Sequence, residues 1–200
     1  MKQTHPQRRW TDVLKHRWPT VLGIAVAVLT AFDLQVDAGF VSSISALVVL
    51  MALVYLGSAA LGRRWSAWLV LLAGLPVALF LPTPSEVGAS AVLLVASLVF
   101  VVLGVARGQL HRPGGLTLQA AGMLGFGAIA LGTLYVDTVL GAYLVAAALL
   151  GHAVWDAFHY LRDRVVARSY AEFCGIADLV LGAASSCSWR SRAPHLRVGT

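Results

Sequence analysis

Seven apolar stretches run through the chain, at residues 19–36, 40–61, 65–81, 87–106, 116–136, 139–160 and 169–186. A helix that crosses a bilayer needs roughly 17–25 mostly apolar residues, and each stretch meets or approaches that length. The connections are short: VDAG, GRRW, PTPSEVG, RGQLHRPGG, VDT and RDRVVAR. No soluble domain fits between them. The pattern predicts an all-α fold, a polytopic membrane helix bundle of six to seven transmembrane spans. The chain then divides into a basic segment at 1–18, the bundle at 19–186 and a polar, basic tail at 187–200. Composition agrees: 58% of residues are hydrophobic and 12% charged, with a mean hydropathy of +0.78. Soluble domains carry about 25% charged residues.

Basic residues set the direction of insertion, because Lys and Arg accumulate in cytoplasmic loops. The N-terminal segment holds Lys2, Arg8, Arg9, Lys15 and Arg17, so it is expected inside. Alternate connections agree, with Arg63 and Arg64, then Arg107 and Arg112, then Arg162, Arg164 and Arg168. The opposite connections carry Asp37, Glu86 and Asp137 and no basic residue. The expected location is a bacterial-type plasma (inner) membrane, with lipids as partners. A net charge of +6 does not point to nucleic acid, because the cations lie between hydrophobic runs and not on a soluble surface. The tail, with Arg190, Arg192 and Arg197, would fall outside. Either the seventh span is re-entrant or a short tail escapes the rule, and the second reading is preferred. A cleaved leader is the rival account of the first span. A long basic start and Asp33 before the VDAG site argue against it. Val-Asp pairs end the first and fifth stretches, a resemblance too small to carry an inverted repeat.

Ionisable residues inside a span are costly and mark function by default. The candidates are Asp33, His152, Asp156, His159, Glu172, Cys174 and Asp178. His152 and Asp156 are i,i+4 and Asp156 and His159 are i,i+3, which places all three on one stripe. If the sixth span runs inward to Tyr160, helix rise puts Asp156 ~6 Å and His152 ~12 Å deep. In the returning seventh span Glu172, Cys174 and Asp178 fall ~4, ~7 and ~13 Å deep. His152 therefore shares a layer with Asp178, and the short connection makes the two helices antiparallel neighbours. His152 and His159 are ~10 Å apart along the axis, too far to close on one ion with bonds of ~2.0–2.1 Å.

A mononuclear metal site would use His152 and Asp156 with Asp178, and Cys174 or Glu172 behind it. A dinuclear site sharing Asp156, or a metal-free His–Asp proton path, are the alternatives. Zinc or iron suits His and Asp ligands, and zinc makes water acidic enough to react near pH 7 without a serine nucleophile. Haem is disfavoured because the intramembrane histidines share one helix. Plainer roles compete at each position. His159 suits a snorkelling side chain at the interface, Glu172 a dipole partner in a first helical turn, and Cys174 a small buried apolar group. His152 and Asp156 also suit a pair that locks two helices. Cys174 and Cys187 lie ~20 Å apart on a continuous helix and should not pair. Gly104 and Gly108 form a GxxxG, and Ala171, Gly175 and Gly182 give the seventh helix a small-residue face that also carries Asp178.

The segment GHAVWDAFHYLRDRVVARSYAEFCGIADLVLG resembles a type of uncharacterised bacterial multi-pass membrane protein with a His-x3-Asp-x2-His helix followed by a Phe-Cys-x3-Asp helix. That resemblance implies no activity. Three functional readings follow from the residues. The first is a metal-assisted membrane enzyme acting on a lipid or other hydrophobic substrate near the cytoplasmic leaflet. In it, His152, Asp156 and Asp178 are ligands or a general base, and His159 carries protons at the water boundary. The second is a proton- or cation-coupled transporter or channel, and the third a structural or partner-binding subunit.

Overall fold

The computed structural model describes residues 17–32, 37–80, 88–112 and 115–192. Asp33, Glu86, the N-terminal basic residues before Arg17, and the side chains of Cys187 and the tail arginines lie outside the described residues. Among the described residues seven α-helices follow one another: α1 (Trp18–Phe32), α2 (Ala38–Leu61), α3 (Ser66–Phe80), α4 (Gly88–Ala106), α5 (Leu116–Gly132), α6 (Thr138–Arg162) and α7 (Arg168–Arg192). Two short 3-10 turns, Gln109–His111 and Thr133–Tyr135, complete the described secondary structure, which contains no strand. Each expected apolar stretch corresponds to one helix. Among the described residues four elements are long and apolar enough to cross a membrane: α2, α4, α5 with its following turn, and α6. The described parts of α1 and α3 are 15 residues each, or about 22 Å of rise, shorter than a hydrocarbon core of about 30 Å.

α2 is the hub. Its neighbours are α3, α4, α5 and α6, and its side chains from Ile44 to Ala60 are buried with few breaks. The outer helices look different. On α4, Val95, Leu98, Val99 and Val102 are each 63–69% exposed, a row at 3–4-residue spacing that lies on one face. An apolar row this exposed suits a lipid-facing surface. α6 and α7 form an antiparallel hairpin, and α1 packs on the flank of α7. Gly23 permits that approach, since a Cβ there would lie 2.6 Å from the Phe173 carbonyl oxygen.

The matched Val-Asp pairs have a local cause. Asp37 and Asp137 are N-caps of α2 and α6: Asp37 accepts from the Phe40 amide, and Asp137 accepts from the Val139 and Leu140 amides. Such caps satisfy amides that the first turn leaves without partners. Gly141 of α6 lies against Val41 of α2, and Asp156 lies against Tyr55, so the two helices run parallel. Their far ends meet the basic connections. α2 stops at Gly62, whose φ of 65° suits a glycine C-cap. The GxxxG divides its labour: Gly104 lies tight against Leu116, whereas Gly108 has φ 67° and no neighbour within 4 Å. Gly108 ends a helix and does not pack one. α3 continues through Pro76 as a helix.

Candidate metal centre

Asp156 belongs to the buried stripe of α6 because its neighbours on that stripe, Leu149, His152 and His159, are also buried. α7 presents its small-residue face to this stripe. A Cβ at Gly175 would lie 3.1 Å from the Asp156 Cβ, and one at Gly182 would lie 2.9 Å from Leu150 Cγ. Close approach of the two backbones delivers Asp178 to His152. The His152 Nδ1 lies 2.8 Å from an Asp178 carboxylate oxygen and 3.2 Å from one of Asp156. All three side chains are buried, with 0%, 0% and 2% exposure for His152, Asp156 and Asp178. Ligand atoms of the three lie within 4.8 Å of one another, so the group could hold a metal ion.

A third helix completes the centre. The Tyr55 hydroxyl of α2 donates to the Asp156 Oδ1 at 2.5 Å. Tyr55 is 1% exposed, and its ring sits edge-on to His152 and against His159. One Asp156 oxygen therefore meets the phenol and the other meets the imidazole. His152 has Phe126 of α5 at its edge, and its second nitrogen, Nε2, is buried without a hydrogen-bond partner. Buried polar atoms are rarely left this way. A donor Nδ1–H shared by two carboxylates leaves Nε2 as a bare lone pair. An imidazolium would instead place an unpaired N–H there.

The donor set is that of a hard to borderline divalent cation: one imidazole and two carboxylates. Catalytic zinc sites use three protein ligands and keep a fourth position open. Ligand atoms around a tetrahedral ion with bonds of ~2.1 Å stand about 3.4 Å apart. The 2.8 and 3.2 Å contacts are shorter than that spacing, so an ion on Nδ1 would need the carboxylates to part from the ring and the ring proton to sit on Nε2. Tyr55 would orient a ligating carboxylate from the second layer, as hydrogen-bonded partners of metal ligands do.

The other sequence candidates lie elsewhere. His159 does not sit at a water boundary: it is 2% exposed. Its Nδ1 donates to the Trp155 carbonyl at 2.9 Å, and its Nε2 lies 2.9 Å from the Gln119 Nε2. With Nδ1 carrying the proton, Nε2 accepts from the Gln119 amide, and both ring nitrogens are engaged. Cys174 is buried beside Tyr170 and is not in the three-residue group. Glu172 pairs with Arg17 at 3.4 Å and accepts a hydrogen bond from the Thr20 hydroxyl, so it ties α1 to α7. Two residues around these histidines had little sequence signal. Tyr55 stands alone in the apolar run MALVYLG, and Gln119 is a single amide in LTLQAAG; each is a lone polar group inside a span.

A groove of about 560 Å³ opens on the flank of the bundle beside this centre. Leu150, Ala153 and Ala157 of α6 line one wall, Gly175 and Ile176 of α7 the other, and Arg17, Thr20 and Glu172 its polar end. Gly175 lines the groove and also lies against Asp156. Comparison of the chain with protein-family models, curated proteins and solved structures gives no match.

Proposed function

We propose that the protein is a multi-pass enzyme of a bacterial-type plasma membrane, with six to seven spans and its N-terminus inside. It holds a divalent metal, zinc or iron, at His152, Asp156 and Asp178, and acts on a lipid or other hydrophobic substrate near the cytoplasmic leaflet. Charge balance carries this reading. Two buried carboxylates converge on one imidazole, a net charge of −2 with neutral His152 and −1 with the imidazolium. Uncompensated charge inside a bundle is expensive, and a divalent cation neutralises the neutral-imidazole set. The groove supports the substrate class, since its volume lies within the 300–1,000 Å³ typical of ligand sites. Its apolar walls suit an acyl chain, and Arg17 at its end suits an anionic headgroup.

When bound, such a metal supplies Lewis-acid polarisation and an activated water for hydrolysis. The protein's own groups do the rest. Tyr55 holds Asp156 in one orientation, the α2, α5, α6 and α7 packing excludes bulk water, and Gly175 keeps the wall toward the groove thin. Metal analysis of the full chain purified without chelators tests the proposal. About one zinc or iron per chain is expected, and less than a tenth of that in His152→Ala and Asp178→Asn. A metal-free wild-type protein overturns it. The direct Nδ1 contacts to both carboxylates favour a second reading, proton or cation passage through the Tyr55–Asp156–His152–Asp178 chain. That reading requires pH- or cation-dependent flux in liposomes that Asp156→Asn abolishes, and unchanged flux rejects it.

A further inference from the structure

The basic end of the bundle holds a second site. Three connections that are far apart in sequence meet there, and a cavity of about 210 Å³ lies between them. Arg64 lines it from the α2–α3 connection, Arg112 from the α4–α5 connection and Arg164 from the α6–α7 connection. A topology signal alone needs the arginines at the same membrane face, not around one small cavity. The connections are tied together there: the Ala167 amide donates to the Arg64 carbonyl at 3.2 Å, and Arg64 pairs with Asp163 at 3.0 Å. Asp163 also takes Arg168 at 3.6 Å. Among the described residues, no carboxylate pairs with Arg112 or Arg164. Guanidinium charge therefore exceeds carboxylate charge around the cavity.

Two further residues line the same space. Ser58 lines the cavity one turn before the end of α2, is 1% exposed, and its hydroxyl has no hydrogen-bond partner. A helical serine normally satisfies itself on the carbonyl four residues back, and Ser58 does not. Gly115, which lines the cavity, is the N-cap of α5 and offers no side-chain cap, so the first-turn amides have no side-chain partner there. Uncapped helix starts accept anions. The opposing influence is the C-terminus of α2, whose carbonyl end favours cations. One guanidinium would satisfy that end; three guanidiniums, a free hydroxyl and an uncapped helix start call for an anion with several oxygens.

We infer that this cavity is a phosphate-binding site, formed by Arg64, Arg112 and Arg164 with the Ser58 hydroxyl and the start of α5. Planar, forked guanidinium groups match phosphate oxygens in pairs, and basic pockets between helix ends at a membrane face take phosphorylated headgroups. The phosphate belongs either to an anionic phospholipid or to a soluble phosphorylated ligand. Titration of the full-length protein in neutral detergent with inorganic phosphate, read by thermal unfolding at constant ionic strength, tests the site. Phosphate is expected to raise Tm saturably where chloride does not. Arg112→Gln/Arg164→Gln should weaken the response at least tenfold, and Ser58→Ala several-fold. Ser58→Ala removes only the hydroxyl, so it decides the matter if the double arginine variant does not fold. Reconstitution into phosphatidylglycerol and phosphatidylcholine nanodiscs separates the sources. Phosphatidylglycerol stabilisation lost in Ser58→Ala assigns the lipid, and a response to free phosphate in both bilayers assigns the soluble ligand. No saturable effect of phosphate or phosphatidylglycerol, or equal effects in wild type and both variants, overturns the site.

Discussion

His152 and His159 lie two turns apart on one buried stripe of α6, yet their surroundings differ in kind. Around His159 every polar atom of the ring has a neutral partner: a backbone carbonyl on one nitrogen and the Gln119 amide on the other. Around His152 one nitrogen serves two carboxylates and the other has no partner. Tyr55 touches both rings, but its hydroxyl goes to Asp156 on the His152 side. A buried polar group that is fully satisfied holds helices together. A buried group with surplus negative charge and a bare nitrogen needs something added, a proton or a cation. The same residue type on the same face is thus fully partnered in one layer and part of a group that could hold an ion in the next.

The largest effect should come from His152→Ala, which leaves Asp156 and Asp178 facing each other without a bridging donor. Leaving buried charged groups without a donor costs more than stranding a neutral one, about 1–3 kcal/mol, and thermal unfolding should show the deepest fall in Tm of any single variant in this region. Adding Asp178→Asn to His152→Ala should restore part of that Tm without restoring metal. A double variant no more stable than His152→Ala would show that charge is not what destabilises the centre. His159→Ala should come next. It removes two buried hydrogen bonds, a loss of about 1–3 kcal/mol, while metal content stays at the wild-type level. Loss of metal in His159→Ala would erase the distinction between the two layers. Tyr55→Phe should have the smallest effect on stability, about 0.6 kcal/mol, as for a typical interhelical hydrogen bond in a membrane. Its signature would be a 10- to 100-fold weaker metal affinity, the usual cost of losing a partner of a ligand. Unchanged affinity would make Tyr55 a packing residue.

Much of the bundle was legible without coordinates. The helices follow the seven apolar stretches because, in hydrocarbon, a run that long must satisfy its own backbone, and only its boundaries depend on caps such as Asp37, Asp137 and Gly62. The pairing of His152 with Asp178 was also legible, from helix rise and a short connection between antiparallel neighbours. His159 was not. Its depth placed it near an interface, but burial depends on which helices lie beside α6, and Gln119 and Tyr55 are distant in sequence. Glu172 was expected to answer a helix dipole, and its partners Arg17 and Thr20 come from a helix whose position on α7 depends on Gly23.

By itself the sequence determined an all-α membrane-type bundle, the alternation of basic and acidic connections, and the His152–Asp156–Asp178 group. Periodicity, length and helix rise are local quantities, and they suffice for these. Only the tertiary structure decided that α2 is the hub and that Tyr55 joins the centre. It also decided that three arginines from three connections converge on one cavity. Helices of similar apolarity compete for the middle of a bundle on shape and small-residue contacts. Those contacts are properties of pairs of helices and are not written in either helix alone.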